Sequence, residues 1–351
     1  MTHKIIWNSP SNIAIIKYWG KNGFQIPMNP SLSFTLSACK TETSIEFFET
    51  PESNQIKFSF LYDGQPKPEF EKKINKFLNA LLSDMPWLTN YKLIINSVNT
   101  FPHSAGIASS ASAMSALALC LVTHEQEILQ QRNNEDSFFR KASFIARIGS
   151  GSASRSVFPI ASVWGSNDYL SEASDEYAIP VAHDIHPRFH NLIDCIFLVN
   201  RSEKKISSTA GHQLMENHPF RECRLLQAHK NMEKLLKALK EGDWMKFSDV
   251  CEEEALSLHG LMMSSKPGYI LLEPESLHLI SEIQQFRYET QLPLCFTIDA
   301  GPNLHLLFPE EILEDINQWI RRQLPDYWNH KKIIMDRVGT GPQGGIIIHN
   351  E

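Results

Sequence analysis

The sequence has no C-x-x-C pair and no histidines grouped at zinc-ligand spacing. Its six cysteines, Cys39, Cys120, Cys195, Cys223, Cys251 and Cys295, are scattered, which speaks against a disulfide framework and reads as reduced, mostly core thiols. An excess of positive charge is also missing. With 33 lysines and arginines against 40 aspartates and glutamates, the net charge of −7 exerts no global pull on nucleic acid or an anionic membrane, so an anionic ligand must be held by a few placed groups. The amino terminus lacks a charged region followed by an apolar run, and no apolar stretch approaches the roughly 18 residues of a spanning helix. A cytoplasmic, soluble protein with no membrane or nucleic-acid partner is expected. No internal repeat, low-complexity tract or G-x-x-x-x-G-K-[ST] loop is present, so a nucleotide site would be of another kind.

What is there is globular: 351 residues, 42% hydrophobic and 21% charged, enough for one large or two ordinary domains. Strand-like runs at Ser44–Phe48, Ile56–Tyr62 and Tyr91–Val98 enclose a helical spacing over Phe70–Leu82. From Phe101 to Leu121 a Pro/Ser/Gly loop passes into a long uncharged run of small and apolar residues, the pattern of a loop feeding the amino end of a buried helix. Another helix starts near Ser137. The texture turns polar over Asp168–His190, which predicts a domain boundary and units of 1–188 and 189–351. The second half reads as helices over Phe220–Leu239, Trp244–Met262 and Pro274–Tyr288, strands at Leu192–Val199, Leu294–Ile298 and Leu304–Phe308, a helix over Glu310–Arg322 and a closing strand at Lys332–Met335. Alternating elements in both halves predict an α+β protein of two layers sharing a cleft.

Four segments could carry chemistry. In PHSAGIASSAS, Pro102–Ser112, small residues let backbone approach a ligand while the following helix offers free N–H groups, a plausible phosphate cradle; composition alone favours simple close packing of that helix. In SPSNIAIIKYWGK, Ser9–Lys21, Lys17 follows an apolar run directly and suits phosphate or carboxylate, although a solvated strand-end lysine is the commoner case. Arg155 in GSGSASRS follows a serine-rich turn and could form a bidentate anion contact, or equally close a helix. Asp299 in CFTIDAGPN ends a strand, where a carboxylate can act as a base if a cation sits nearby, or can stabilise its own turn.

Together with IPMNPSLSFTL at Ile26–Leu36 and KKISSTAGH at Lys204–His212, these segments resemble, in order, those of the diphosphomevalonate decarboxylases, a family of the GHMP kinase superfamily. The likeness runs from about Trp7 to the VGTGP turn at Val338–Pro342. It implies a two-domain GHMP kinase fold, with an amino-terminal domain of the ribosomal protein S5 domain 2 type and a ferredoxin-like carboxy-terminal domain. It implies ATP and Mg2+ as cofactors, a homodimer, and conversion of mevalonate 5-diphosphate to isopentenyl diphosphate, ADP, phosphate and CO2. By resemblance, Asp299 accepts or orients the 3-hydroxyl proton, Lys17 compensates charge and keeps Asp299 ionised, and Arg155 holds the substrate carboxylate. Tyr18, Lys21, Ser150 and Ser208 hold the substrate, and Ser104, Ala105, Gly106, Ala108, Ser109 and Ser110 wrap the ATP phosphates, with Mg2+ bound mainly through those phosphates.

Two positions depart from the family pattern. Thr209 stands where some relatives carry arginine, so one cation for the diphosphate must come from elsewhere, and His103–Ser104 replaces a threonine–alanine pair. Competing readings are decarboxylation of mevalonate 5-phosphate, a mevalonate-type kinase that stops after phosphoryl transfer, and a non-catalytic sensor. Intact Asp299, Lys17 and Arg155 argue against the sensor, which is free to lose its base.

Overall fold

Two long strands organise the first half of the computed structural model, which describes residues 2–51, 55–102, 107–130, 134–200 and 208–350. Thr2–Ile16 and Ser31–Glu49 run antiparallel with Ile5 opposite Ile45, and their register slips between Pro10 and Asn12, at a proline that cannot donate to the ladder. The slip divides the labour of both strands. Thr41–Glu49 pairs onward with Tyr91–Asn99, whereas Ser31–Phe34 pairs with Ala161–Trp164 and brings that segment beside the end of the first strand. Lys57–Tyr62 lies parallel to Tyr91–Asn99, and the parallel pairing is made possible by the crossover helix Pro68–Ala80.

The helices Ser109–Leu129 and Glu135–Gly149 pack with this sheet. The absence of charge over Ser109–Leu121 of the first is explained by burial on almost every side, where alanine and serine permit close approach to the strands. Hydroxyls pin it in place: Ser112 Oγ lies 2.6 Å from Thr41 Oγ1, Trp7 Nε1 donates to Thr123 Oγ1 at 2.9 Å, and Ser115 bonds Ser9.

In the second half, Cys295–Ile298, Leu304–Pro309, Leu192–Phe197 and Ile333–Arg337 form a four-stranded antiparallel sheet in that order. Strand alternation sends Ile193, Cys195 and Phe197 into one core with Leu279, Ile283, Ile316 and Ile320 of the helices Pro274–Thr290 and Leu313–Gln323. The opposite face sends Leu192, Ile196 and Leu198 into a second core that also contains Ile13, Ile15 and Phe34 of the first half. The two halves are therefore packed along a shared apolar seam.

Several strands are absent from the sequence reading, among them Thr2–Ile16, Ala161–Trp164 and the last one of the chain. The chain does not close at Ile333–Arg337; Gln343–Asn350 returns and pairs with the first strand from Asn8 back to Thr2. Gly344 and Gly345 blur its alternation, yet Gly344 is required there, because a Cβ would fall 2.7 Å from Trp7 Cα at a backbone φ of +149°. This strand lies beyond residue 189 in the chain while its hydrogen bonds go to the first strand.

Candidate active site

The apolar run Ile13–Ile16 is buried on both faces and delivers Lys17, itself 1% exposed, to the seam between the halves. Its ammonium cannot remain there unpaired. Lys17 Nζ donates to Ala14 O at 2.6 Å and to Asp299 Oδ1 at 2.7 Å. Asp299 follows the strand Cys295–Ile298, and its side chain keeps a quarter of its surface open. The solvated strand-end lysine is thereby excluded.

Arg155 ends the short helical turn Gly151–Arg155 and is 1% exposed. Its Nε donates to Ser33 Oγ at 2.9 Å, Nη1 bonds Ser31, and Nη2 reaches Asn12 Oδ1 at 3.5 Å, all neutral partners. Burial lowers its pKa to about 10 against the opposing pull of Asp299. A buried guanidinium held only by neutral groups has spare capacity for an anion.

Tyr18 packs edge-on against Trp164 and tilts over His212, with centroids 4.7 and 4.4 Å away. Its hydroxyl is buried without a hydrogen-bond partner, and burial pushes the phenol well above its usual range. Gly151 makes room for it, since a Cβ there would fall 2.9 Å from that hydroxyl. His212, to which no role attaches from sequence, accepts the Gly20 N–H at Nδ1 (2.9 Å) and lies over Trp19, so it ties the Ser208–Gln213 helix to the Tyr18–Trp19 pair. Burial and the Lys21 charge hold the imidazole well below its ordinary pKa, hence neutral.

Lys21 belongs to a cluster the sequence reading missed. Burial and then Lys76 lower its pKa, while at Lys73 burial and then Lys21 lower it to about 8. The charges acting on both are other lysines, as at a site built for a polyanion. Lys73 Nζ also reaches Ser110 Oγ at 3.1 Å, at the first turn of the long helix. Beside it, Phe60, Tyr62, Phe70, Asn99 and Ser109 line a largely apolar cavity of about 130 Å³. The i, i+3 spacing of Lys73 and Lys76 on an otherwise amphipathic helix was the available signal, but lysines at such positions usually face solvent.

Of the expected phosphate cradle, Ser104, Ala105 and Gly106 lie outside the described residues, as does the side chain of Ser208. Ala108 precedes the helix in a left-handed conformation (φ 44°), Ser109 and Ser110 line the cavity, and Ser150 Oγ sits 3.4 Å from Ser152 Oγ beside Gly151. Within the Pro102–Ser112 segment, Ala111 and Ser112 pack against the sheet, while Ser109 and Ser110 line the cavity.

Residues 9–177 match the model of the diphosphomevalonate decarboxylase-like N-terminal domain, and residues 195–343 that of the mevalonate 5-diphosphate decarboxylase C-terminal domain. The chain belongs to the diphosphomevalonate decarboxylase family. It is 31% identical over 320 residues to the diphosphomevalonate decarboxylase of Saccharomyces cerevisiae, covering 86% of this chain and 77% of that one. The crystal structure of mevalonate diphosphate decarboxylase from Staphylococcus aureus superposes with a TM-score of 0.82 at 29% identity, over 99% of both chains. A structure described as MDDEF in complex with MVAPP, AMPPCP and magnesium gives 0.81 at 28%, over 98% of this chain and 99% of that one. The architecture is the two-domain α+β GHMP kinase fold of these decarboxylases.

Proposed function

We propose that this protein carries out the ATP-dependent decarboxylation of mevalonate 5-diphosphate to isopentenyl diphosphate, with release of ADP, phosphate and CO2, in the mevalonate route to isoprenoids. The observation that carries the reading is the 2.7 Å Lys17–Asp299 pair at a buried seam, with Arg155 held there by neutral groups alone. Asp299 takes the proton of the tertiary 3-hydroxyl, and Lys17 keeps the carboxylate in place and offsets negative charge as it accumulates. ATP with Mg2+ supplies the phosphoryl group that turns this hydroxyl into a leaving group. Arg155 grips the substrate carboxylate and aligns the bond that breaks as phosphate departs and CO2 forms.

The orphaned Tyr18 hydroxyl, Ser150 and Lys21 are suited to the substrate diphosphate, with Ser208 added on the strength of its motif. Lys73 and Lys76 supply the positive charge that Thr209 does not. Lysines that lower one another's pKa match a diphosphate better than a monophosphate. The apolar cavity beside Ser109, Ser110 and Lys73 fits a nucleotide base next to its phosphates, and the relative described with AMPPCP and magnesium supports the same pairing of nucleotide and metal. Mg2+ is assigned mainly to the ATP phosphate oxygens on family likeness; among the described residues there is no group of three or more His, Cys, Asp or Glu side chains that could hold a metal. Units of 1–188 and 189–351, a homodimer and a cytoplasmic location complete the proposal on family likeness; no helix among the described residues is long and apolar enough to cross a membrane.

The decisive experiment offers mevalonate, its 5-phosphate and its 5-diphosphate to the purified protein with Mg-ATP and follows ADP and CO2 together. ADP and CO2 from the diphosphate alone are expected. Both products from the monophosphate, or ADP without CO2, would replace this reading with one of its two enzymatic rivals.

A further inference from the structure

Lys17 is held at its main chain by an ion pair that does not touch the reactive cleft. Arg224, on the helix Arg221–Glu241, and Glu254, on the helix Trp244–Ser264, bond each other bidentately at 2.7 and 2.6 Å, with both side chains at most 1% exposed. Glu254 Oε2 also accepts the Lys17 N–H at 2.9 Å, and Arg224 Nη2 donates to the Lys17 carbonyl at 3.0 Å. Asn231 donates to Glu254 Oε1 at 2.9 Å and Asn29 to the Lys17 carbonyl at 3.0 Å, so the clamp is itself braced. Five residues after Glu254 on the same helix, His259 donates Nε2–H to the Asp299 carbonyl at 3.1 Å. One helix thus grips the backbone on both sides of the Lys17–Asp299 contact.

Burying an ion pair costs desolvation that apolar packing of the same volume avoids, so stability alone is a weak reason for charges at this place. Apolar side chains could fill the volume but could not engage both the N–H and the C=O of Lys17. We infer that Arg224 and Glu254 are positioning residues for the reaction, a buried clamp that fixes the Lys17 peptide and thereby keeps its ammonium on Asp299. The inference rests on the proposed role of the Lys17–Asp299 pair. Because the clamp's bonds go to the Lys17 main chain and not to the side chains of Tyr18 or Lys21 or to the lining of the nucleotide cavity, its loss is expected to fall on turnover rather than on substrate binding.

The test replaces the pair by apolar residues, Arg224→Met with Glu254→Leu, and separately makes Arg224→Lys, which keeps the charge but lacks the planar fork that bonds both Glu254 oxygens and the Lys17 carbonyl at once. For the folded double variant, kcat should fall roughly ten- to hundredfold with KM for ATP and for mevalonate 5-diphosphate within about twofold of the parent, since small misplacements of a reacting group cost rate rather than affinity. Arg224→Lys should lose a smaller part of kcat, again at constant KM, and decides the matter if the double variant does not fold. Parental kcat in either folded variant overturns the inference, as does a loss shared by kcat, KM and thermal midpoint, which is the signature of a merely structural tie. Asp299→Asn, assayed in parallel, separates the two levels: normal turnover there removes the reactive pair itself, whereas an inactive Asp299→Asn beside fully active Arg224 variants removes only the clamp.

Discussion

Lys17 and Asp299 stand 282 positions apart in the chain and share one hydrogen bond. Neither is unusual alone; a strand-end lysine and an aspartate before a glycine are ordinary features. What sets them apart is where they are held, one buried and one at the mouth, with a second buried cation in Arg155. Arg155→Gln should keep the fold, because its neutral hydroxyl and amide partners accept from an amide as well, but should lower kcat/KM for the substrate by roughly 10²-fold or more through loss of a charge-assisted carboxylate contact. Steady-state kinetics with a release assay for CO2 reads this directly. At Lys73 the consequence is a pH dependence. Its pKa lies near 8 in the free protein, below its ordinary 10.5, so the cation is present at neutral pH and is lost as pH rises past 8. Affinity for the anions beside Lys73, the substrate diphosphate and the nucleotide phosphates next to Ser110, should therefore weaken above pH 8, by up to about tenfold per pH unit, and Lys73→Met should flatten that slope in binding titrations from pH 7 to 10.

At the scale of elements, the long helix Ser109–Leu129 shows how one segment serves two ends. Its first turn opens on the cavity, and the rest of it is the buried layer against which the sheet is fixed. Near its far end His124, fully buried, stacks on Phe47 at 3.8 Å and lies 2.8 Å from His3 of the first strand, ring nitrogen to ring nitrogen. Burial, then the neighbouring His3, depresses its pKa to about 3. The unfolded chain takes up this proton below pH 6.5 and the folded chain does not, so the contribution to stability is complete above pH 6.5 and is lost as pH falls toward 3, with a slope of at most about 1.4 kcal/mol per pH unit. Denaturant melts at pH 7, 6 and 5 should show a steeper decline for the parent than for His124→Phe, and equal slopes would show that this site does not couple to folding. The longer helices and several strands of the chain were legible from periodicity, because Pro68–Ala80, Glu135–Gly149 and Leu304–Pro309 bury one face or both in the pattern their residues announce. Gln343–Asn350 was not, since two glycines interrupt its alternation and its partner strand begins 341 positions earlier, a separation that local periodicity does not encode.

At the scale of the molecule, the site is a product of the seam. The first strand brings Lys17, the Gly151–Arg155 turn brings Arg155, the second sheet brings Asp299, and the two helices behind bring the Arg224–Glu254 clamp. None of these elements holds more than one of the proposed reactive groups, so the chemistry proposed for them requires the halves packed on their common core.

The family to which the chain belongs was determined by the sequence itself, and so was the choice of Lys17, Arg155 and Asp299 as the proposed reactive set, because short motifs with fixed order record the chemistry that each segment must present. Tertiary structure alone decided which groups are poised. It made Lys17 a buried cation rather than a solvated one, left the Tyr18 hydroxyl without a partner, and gathered Lys21, Lys73 and Lys76 into one field. It also set Glu254 and Arg224 behind Lys17. Burial and charge proximity are properties of packed neighbours from distant parts of the chain, and no local spacing in a sequence carries them.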